Sequence, residues 1–127
     1  MPNTLSFKAA IRDTEVQGNI LNFGAVPDVT DSKSEYMNSY AFTKALEAAS
    51  NGDFGEDRRV LVPADTVFSF MPSITTEGLE DVVIQIDGTI LLSKNFKDYQ
   101  TYDYDDVFIQ HKDAKNLTHR GDGVIDG

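Results

Sequence analysis

Val82-Val83-Ile84-Gln85-Ile86-Asp87-Gly88-Thr89-Ile90-Leu91-Leu92 decides the fold. Side chains of an extended chain alternate between two faces. Val82, Ile84 and Ile86 therefore share one face, and Ile90 and Leu92 resume an apolar face after Asp87-Gly88. Asp-Gly is a strong turn signal, because Gly takes positive φ without steric cost and Asp tolerates it. Between two strands it ordinarily closes a hairpin.

A second stretch argues for another reading. Asp81 to Ile90 lies over Asn116-Leu117-Thr118-His119-Arg120-Gly121-Asp122-Gly123-Val124-Ile125, with an Asx residue opening each run and Asp-Gly at the same place in both. The tripeptide Ile-Asp-Gly occurs at Ile86-Asp87-Gly88 and again at Ile125-Asp126-Gly127. Self-similarity of this kind marks a solenoid, in which each unit buries its apolar face by stacking on the next. Two unrelated strand–turn segments of an ordinary β-domain fit the same pattern.

The flanking chain supplies short elements. Ile20 to Val26 is predicted as a strand ended by Pro27-Asp28, and Thr4 to Ile11 as a short strand or turn. Thr30 to Glu35 is rich in helix-starting residues, with Asp31 or Ser34 as the cap. Tyr36 to Ser50 is predicted helical, because Phe42, Ala45, Leu46 and Ala49 follow the three-and-four spacing of one buried face, and Asn51-Gly52 supplies the stop. Arg58 to Pro63, Thr66 to Phe70 and Val107 to Ile109 are predicted strands, and Lys94 to Asp106 a loop. The expected organisation is one domain over 1–127. It has an N-terminal segment (1–19), a strand plus helix (20–59) and stacked β units (60–127). No strand–helix alternation supports a doubly wound sheet.

Composition bounds the function. The chain has 127 residues, 40% of them hydrophobic, which is enough for a moderate core. Its formal net charge of -10 disfavours nucleic acid and anionic membrane as partners, since both select basic surfaces. With no cysteine, disulfide and thiol chemistry are excluded. No run approaches membrane-spanning length, and Met1 to Lys8 holds no apolar core of signal-peptide length.

Several segments, in order, resemble one family. Asn22-Phe23-Gly24-Ala25-Val26-Pro27-Asp28-Val29-Thr30-Asp31 is similar to the Asp-Phe-Gly-Ala-x-Gly-Asp-Gly opening of the pectin-lyase-like proteins. Ala41 to Ala49 resembles the helix that follows there, and Val60 to Ala64 the next strand. Ile86-Asp87-Gly88-Thr89-Ile90-Leu91 and Gly121 to Gly127 narrow the resemblance to the N-terminal cap and first coils of glycoside hydrolase family 28, the polygalacturonases. Pro27, Val29 and Asp65 depart from the pattern, standing where the family usually has Gly.

The resemblance implies a mainly β fold, a right-handed single-stranded parallel β-helix with an N-terminal capping α-helix. In it Gly24, Leu46, Asp87, Gly88, Gly121, Gly123, Asp126 and Gly127 are structural positions. Asp87-Gly88 becomes a corner between strands of one coil rather than a hairpin turn. The implied activity is inverting hydrolysis of the α-1,4 bond of polygalacturonate, in which an acid and a base carboxylate stand apart with water between. Family members carry this on Asn-Thr-Asp, Asp-Asp, Gly-His-Gly and Arg-Ile-Lys motifs beyond the Ile-Asp-Gly coil. The chain is therefore expected to be an N-terminal part, inactive alone, with no catalytic residue, metal or cofactor of its own. The alternative is a non-catalytic solenoid module for carbohydrate binding or assembly. Members are typically secreted; this chain leaves the compartment open.

Smaller signals are weighed against ordinary roles. Asp105-Asp106 precedes the Gly-x-Gly coil and reads as a solvated loop, and Asp103, Asp105 and Asp106 show no calcium-loop pattern. His111 has no partner at metal-ligand spacing, and His119 reads as a strand flank. Asn116-Leu117-Thr118 is a sequon within a turn–strand. Tyr99, Tyr102 and Tyr104 are candidate sugar-stacking residues, with cover of the flank beneath as the other reading. Expected partners are a pectin-like polysaccharide, by resemblance, and another protein chain covering the open C-terminal coil.

Overall fold

The computed structural model describes residues 15–72, 74–94 and 109–126. Within them lie one 3-10 turn (Ile20–Phe23), one long helix α1 (Ser32–Asn51) and eight short strands. The strands are β1 (Arg59–Val62), β2 (Val67–Phe70), β3 (Ile74–Glu77), β4 (Val83–Ile86), β5 (Thr89–Leu92), β6 (Ile109–Lys112), β7 (Thr118–Arg120) and β8 (Val124–Asp126).

All pairing between these strands is parallel, in sheets ordered β1-β4-β7, β2-β5-β8 and β3-β6. The chain visits one sheet, then the next, and returns one strand further along. β4 and β5 flank Asp87-Gly88 yet belong to different sheets, so this turn is a corner and not a hairpin. The sequence repeat is the stacking register. Asn116 sits 35 positions after Asp81 and donates its side-chain amide to the Asp81 carboxylate at 2.8 Å. Arg120 lies the same distance after Gln85, and His111 after Thr76. Asp81 and Asn116 both hold positive φ, 55° and 56°. Asx side chains accept that conformation more readily than other non-glycine residues. The same reason accounts for Asp65 at φ 61°.

Glycine at the corner answers a different demand. The φ of Gly88 is not positive, but a Cβ there would lie 2.3 Å from the Pro63 carbonyl oxygen. One layer on, a Cβ on Gly123 would lie 2.2 Å from the Gly88 carbonyl. Backbone is stacked on backbone, with Gly88 N–H donating to Val62 O and Gly123 N–H to Ile86 O. Asp-Gly recurs because each corner rests on the one before it.

The core lies between the sheets. Val60 and Val62 of β1, Phe68 and Phe70 of β2, Ile74 of β3, Ile84 and Ile86 of β4, and Ile90 and Leu92 of β5 form one buried cluster with Val82 and Leu79. α1 adds Ala41, Phe42, Ala45, Leu46 and Ala49, all fully buried. It packs on β1, β2, β3 and the 3-10 turn, and Phe42 meets Phe70 edge-to-face at 5.6 Å. Each buried Val, Leu, Ile or Phe of this cluster contributes roughly 1.5–3 kcal/mol by leaving water, and each Ala less. Asp31 caps α1 by accepting from Ser34 N–H, and Gly52 ends it at φ 80°.

Two expectations are corrected, and one strand is new. Ile20 to Val26 is not a strand. Asn19 Oδ1 accepts from Leu21 N–H, and Gly24 at φ 96° closes a 3-10 turn whose Ile20 is buried. α1 begins at Ser32 rather than Tyr36, since the Asp31 cap extends it by a turn. β3 was not expected. Its Ile74 and Thr76 are buried while Thr75 and Glu77 are exposed, the alternation of a half-buried strand. Thr4 to Ile11, Val107, Phe108 and Gly127 lie outside the described residues.

Candidate functional site

A concavity of about 430 Å³ lies against the outer face of the β2-β5-β8 sheet. Ser69, Leu91 and Asp126 stand in register across that sheet and form a strip along it. Thr30, Glu35 and Lys94 complete the polar lining. Period-2 alternation explains the strip, since Phe68, Phe70, Ile90 and Leu92 turn into the core and leave Ser69 and Leu91 pointing outward.

The first turn of α1 is tied to the end of β2 by several bonds. Met71 N–H donates to the Glu35 carbonyl, and Ser39 Oγ donates to the Met71 carbonyl at 2.8 Å. Asn38, fully buried, donates to Val26 O and Ser69 O and accepts from Val26 N–H. Glu35 is held inside this arrangement at 2% exposure, and its carboxylate accepts from Ser93 Oγ at 2.7 Å. Of the polar lining, the Thr30 hydroxyl, the Lys94 ammonium and the Asp126 carboxylate belong to exposed residues, while Ser69 and Glu35 are buried. Such a lining can hydrogen-bond a polyhydroxyl ligand. Sequence reading missed Glu35, taking it only as part of a helix start. Its signal is a lone acid one turn into a capped helix, which sequence alone cannot place against a sheet.

The outer face of β1-β4-β7 carries a polar ladder. Arg120 Nε donates to Gln85 Oε1 at 3.0 Å, and Gln85 Nε2 donates to Asp87 Oδ2 at 2.7 Å. Asp87 is thereby engaged on the surface of its own corner. At the start of β1, burial raises the Asp57 carboxyl, but bonds from the side chain and backbone of Arg59, with its charge, outweigh this and hold it below the usual value. Bonds from the Ser34 N–H and hydroxyl hold Asp31 low as well.

Tyr99, Tyr102, Tyr104, Asp103, Asp105 and Asp106 lie outside the described residues. Exposed tyrosines within them are Tyr36 and Tyr40 on α1, with Lys44 Nζ 5.2 Å from the Tyr40 ring centre. Tyr40, Lys44, Glu47 and Phe23 help to line a shallow groove of about 350 Å³. The Asn116 amide is engaged with Asp81. Leu46 is fully buried, Gly24 and Gly121 have positive φ, and Asp126 lines the large cleft. His111 and His119 are in ring contact, with centres 5.7 Å apart. No group of three or more His, Cys, Asp or Glu side chains among the described residues is arranged to hold a metal. No helix among them is long and apolar enough to cross a membrane.

No family profile matches the chain, and no curated protein or solved structure matches it either. The class defined by fold and site is a strand-rich protein with one helix and parallel strands in its sheets, bearing a polar cleft on an outer sheet face.

Proposed function

We propose that this chain forms the capped opening turns of a right-handed parallel β-helix of the polygalacturonase kind. Its role is to start and cap a scaffold on which α-1,4-galacturonan is hydrolysed. The observation that carries this reading is the register. Partners 35 positions apart stack in each of the three parallel sheets, and an Asp-Gly corner rests on the corner before it. A progressive circuit through three sheets is the geometry of a solenoid.

The acid and base are not assigned to any residue of this chain. The Asn-Thr-Asp, Gly-His-Gly and Arg-Ile-Lys patterns do not occur in its sequence. Charge points the same way. Polygalacturonate is a polyanion, and a chain of net charge -10 repels it at long range. The strands that carry the chemistry would stack on the outer edges of β7 and β8. The test is reducing-sugar release from polygalacturonate by the purified 127-residue chain, with equilibrium binding measured at low salt. Neither turnover nor tight binding is expected. Turnover would place the chemistry on this chain and overturn the division of roles.

A second reading is favoured by one observation. Among the described residues β7 and β8 each pair on one side only, and Val124 and Ile125 are 55% and 47% exposed. An open parallel edge of this kind suits an assembly module whose partner is another protein chain.

A further inference from the structure

His111 and His119 come from different sheets. His111 is on β6 in register with Thr76, and His119 is on β7 in register with Ile84. Thr76 and Ile84 are both buried, so the two imidazoles lie on the core-facing side of their strands. Their ring centres are 5.7 Å apart and the planes are inclined at 55°. A tetrahedral ion with metal–nitrogen distances of about 2.0–2.1 Å places two coordinated imidazole centres roughly 5–6 Å apart. The observed pair has that spacing before any ion is added.

His111 is also prepared as a ligand. Its Nδ1 is 2.6 Å from Thr76 Oγ1, while its Nε2 is buried with no hydrogen-bond partner among the described residues. Buried polar atoms are nearly always satisfied, and an orphan asks for an explanation. If Nδ1 carries the proton and donates to Thr76, Nε2 presents a lone pair. Metal-binding histidines use this arrangement, with the second nitrogen held by a neighbouring acceptor. Burial and the adjacent His119 both lower the pKa of His111, which favours the neutral ring.

We propose that His111 and His119 form a binding site for one borderline divalent transition-metal ion, of the Zn²⁺, Ni²⁺ or Cu²⁺ class, with one ring nitrogen from each histidine and the other positions open to water or a ligand. Imidazole selects these ions over hard cations such as Ca²⁺ and Mg²⁺, which prefer oxygen. The site needs no part of the cleft beside β2, β5 and β8, and it belongs to the 127-residue chain as it stands, in which His119 is exposed.

The test is calorimetric titration of the full chain with Zn²⁺ in excess Ca²⁺, where the calcium occupies the many surface carboxylates. A single-site isotherm is expected. His119→Asn should weaken it at least tenfold without lowering the melting temperature, since His119 is exposed. His111→Asn should weaken it similarly. Nitrogen-15 spectra of the imidazoles provide the second readout, with Zn²⁺ expected on His111 Nε2 and the proton on Nδ1. Absence of Zn²⁺ binding, loss of binding on adding Ca²⁺, or an undiminished isotherm in His119→Asn would each overturn the proposal.

Discussion

Two glycines are required for opposite reasons. Gly88 has room in φ but none in space, because a Cβ would strike the Pro63 carbonyl. Gly24 has open space but φ 96°, which β-carbons disfavour. Gly88→Ala is therefore expected to lose about 1–3 kcal/mol, the usual cost of forcing atoms into filled space. Gly88→Val should add to that cost only modestly, because the first carbon already collides. Gly24→Ala should lose roughly 1–2 kcal/mol through backbone strain alone. Urea unfolding of the three variants checks the comparison, and a Gly88→Ala protein as stable as the parent would remove the stacked-corner argument. The need for Gly at 88 was legible in the sequence as a turn. Its cause was not, since the obstructing carbonyl belongs to the preceding layer of the fold.

Elements with a clear period were legible, and those resting on local side-chain bonds were not. Val83–Ile86 and Thr89–Leu92 alternate, and α1 carries Phe42, Ala45, Leu46 and Ala49 on one face, so both could be placed from sequence. The Ile20–Phe23 turn depends on the Asn19 side chain and on Gly24, and its apolar residues imitate a strand. His111 and His119 meet only because β6 and β7 lie in different sheets of adjacent layers, and no spacing rule reports that. Leu46→Asp is expected to cost on the order of 3 kcal/mol or more, since an unpaired carboxylate would replace a fully buried side chain. Thermal unfolding followed by circular dichroism checks this, and an unchanged midpoint would contradict the packing of α1. At the start of β1, the carboxyl of Asp57 titrates lower in the folded chain than its ordinary 3.8. A depressed folded value means that its stabilisation is present above about pH 4 and is lost as pH falls through the folded pKa. The group is partly exposed, with a side-chain exposure of 36%, so the effect is on the order of a few tenths of a kcal/mol. Asp57→Asn should thus be slightly less stable than the parent at pH 7, with the gap closing near pH 2. A gap that persists at pH 2 would place its origin elsewhere.

One edge of the fold is protected and, among the described residues, the other is open. Beside β1, Leu61 N–H donates to Gly18 O, and Asn19 makes a parallel bridge to Leu61. α1 covers the same end with its buried face. The outer edges of β7 and β8 have no strand beside them among the described residues. Ile125 is in register with Ile90, which is fully buried, so it faces the core side and yet remains 47% exposed. An exposed parallel edge with an apolar cross-section is a template for another strand. The 127-residue chain is therefore expected to self-associate with rising concentration through the β7-β8 edge. Ile125→Lys should weaken that association at least tenfold, because the new charge would be desolvated by any strand stacked on it. It should leave the monomer's melting temperature nearly unchanged, since the side chain is half in water already. Light scattering and sedimentation across a concentration series, with parent and variant in parallel, read both effects. A parent that stays monomeric throughout would show that the open edge is not adhesive. Association unaltered by Ile125→Lys would move the contact to another surface, such as the exposed Tyr36, Met37 and Tyr40 on α1.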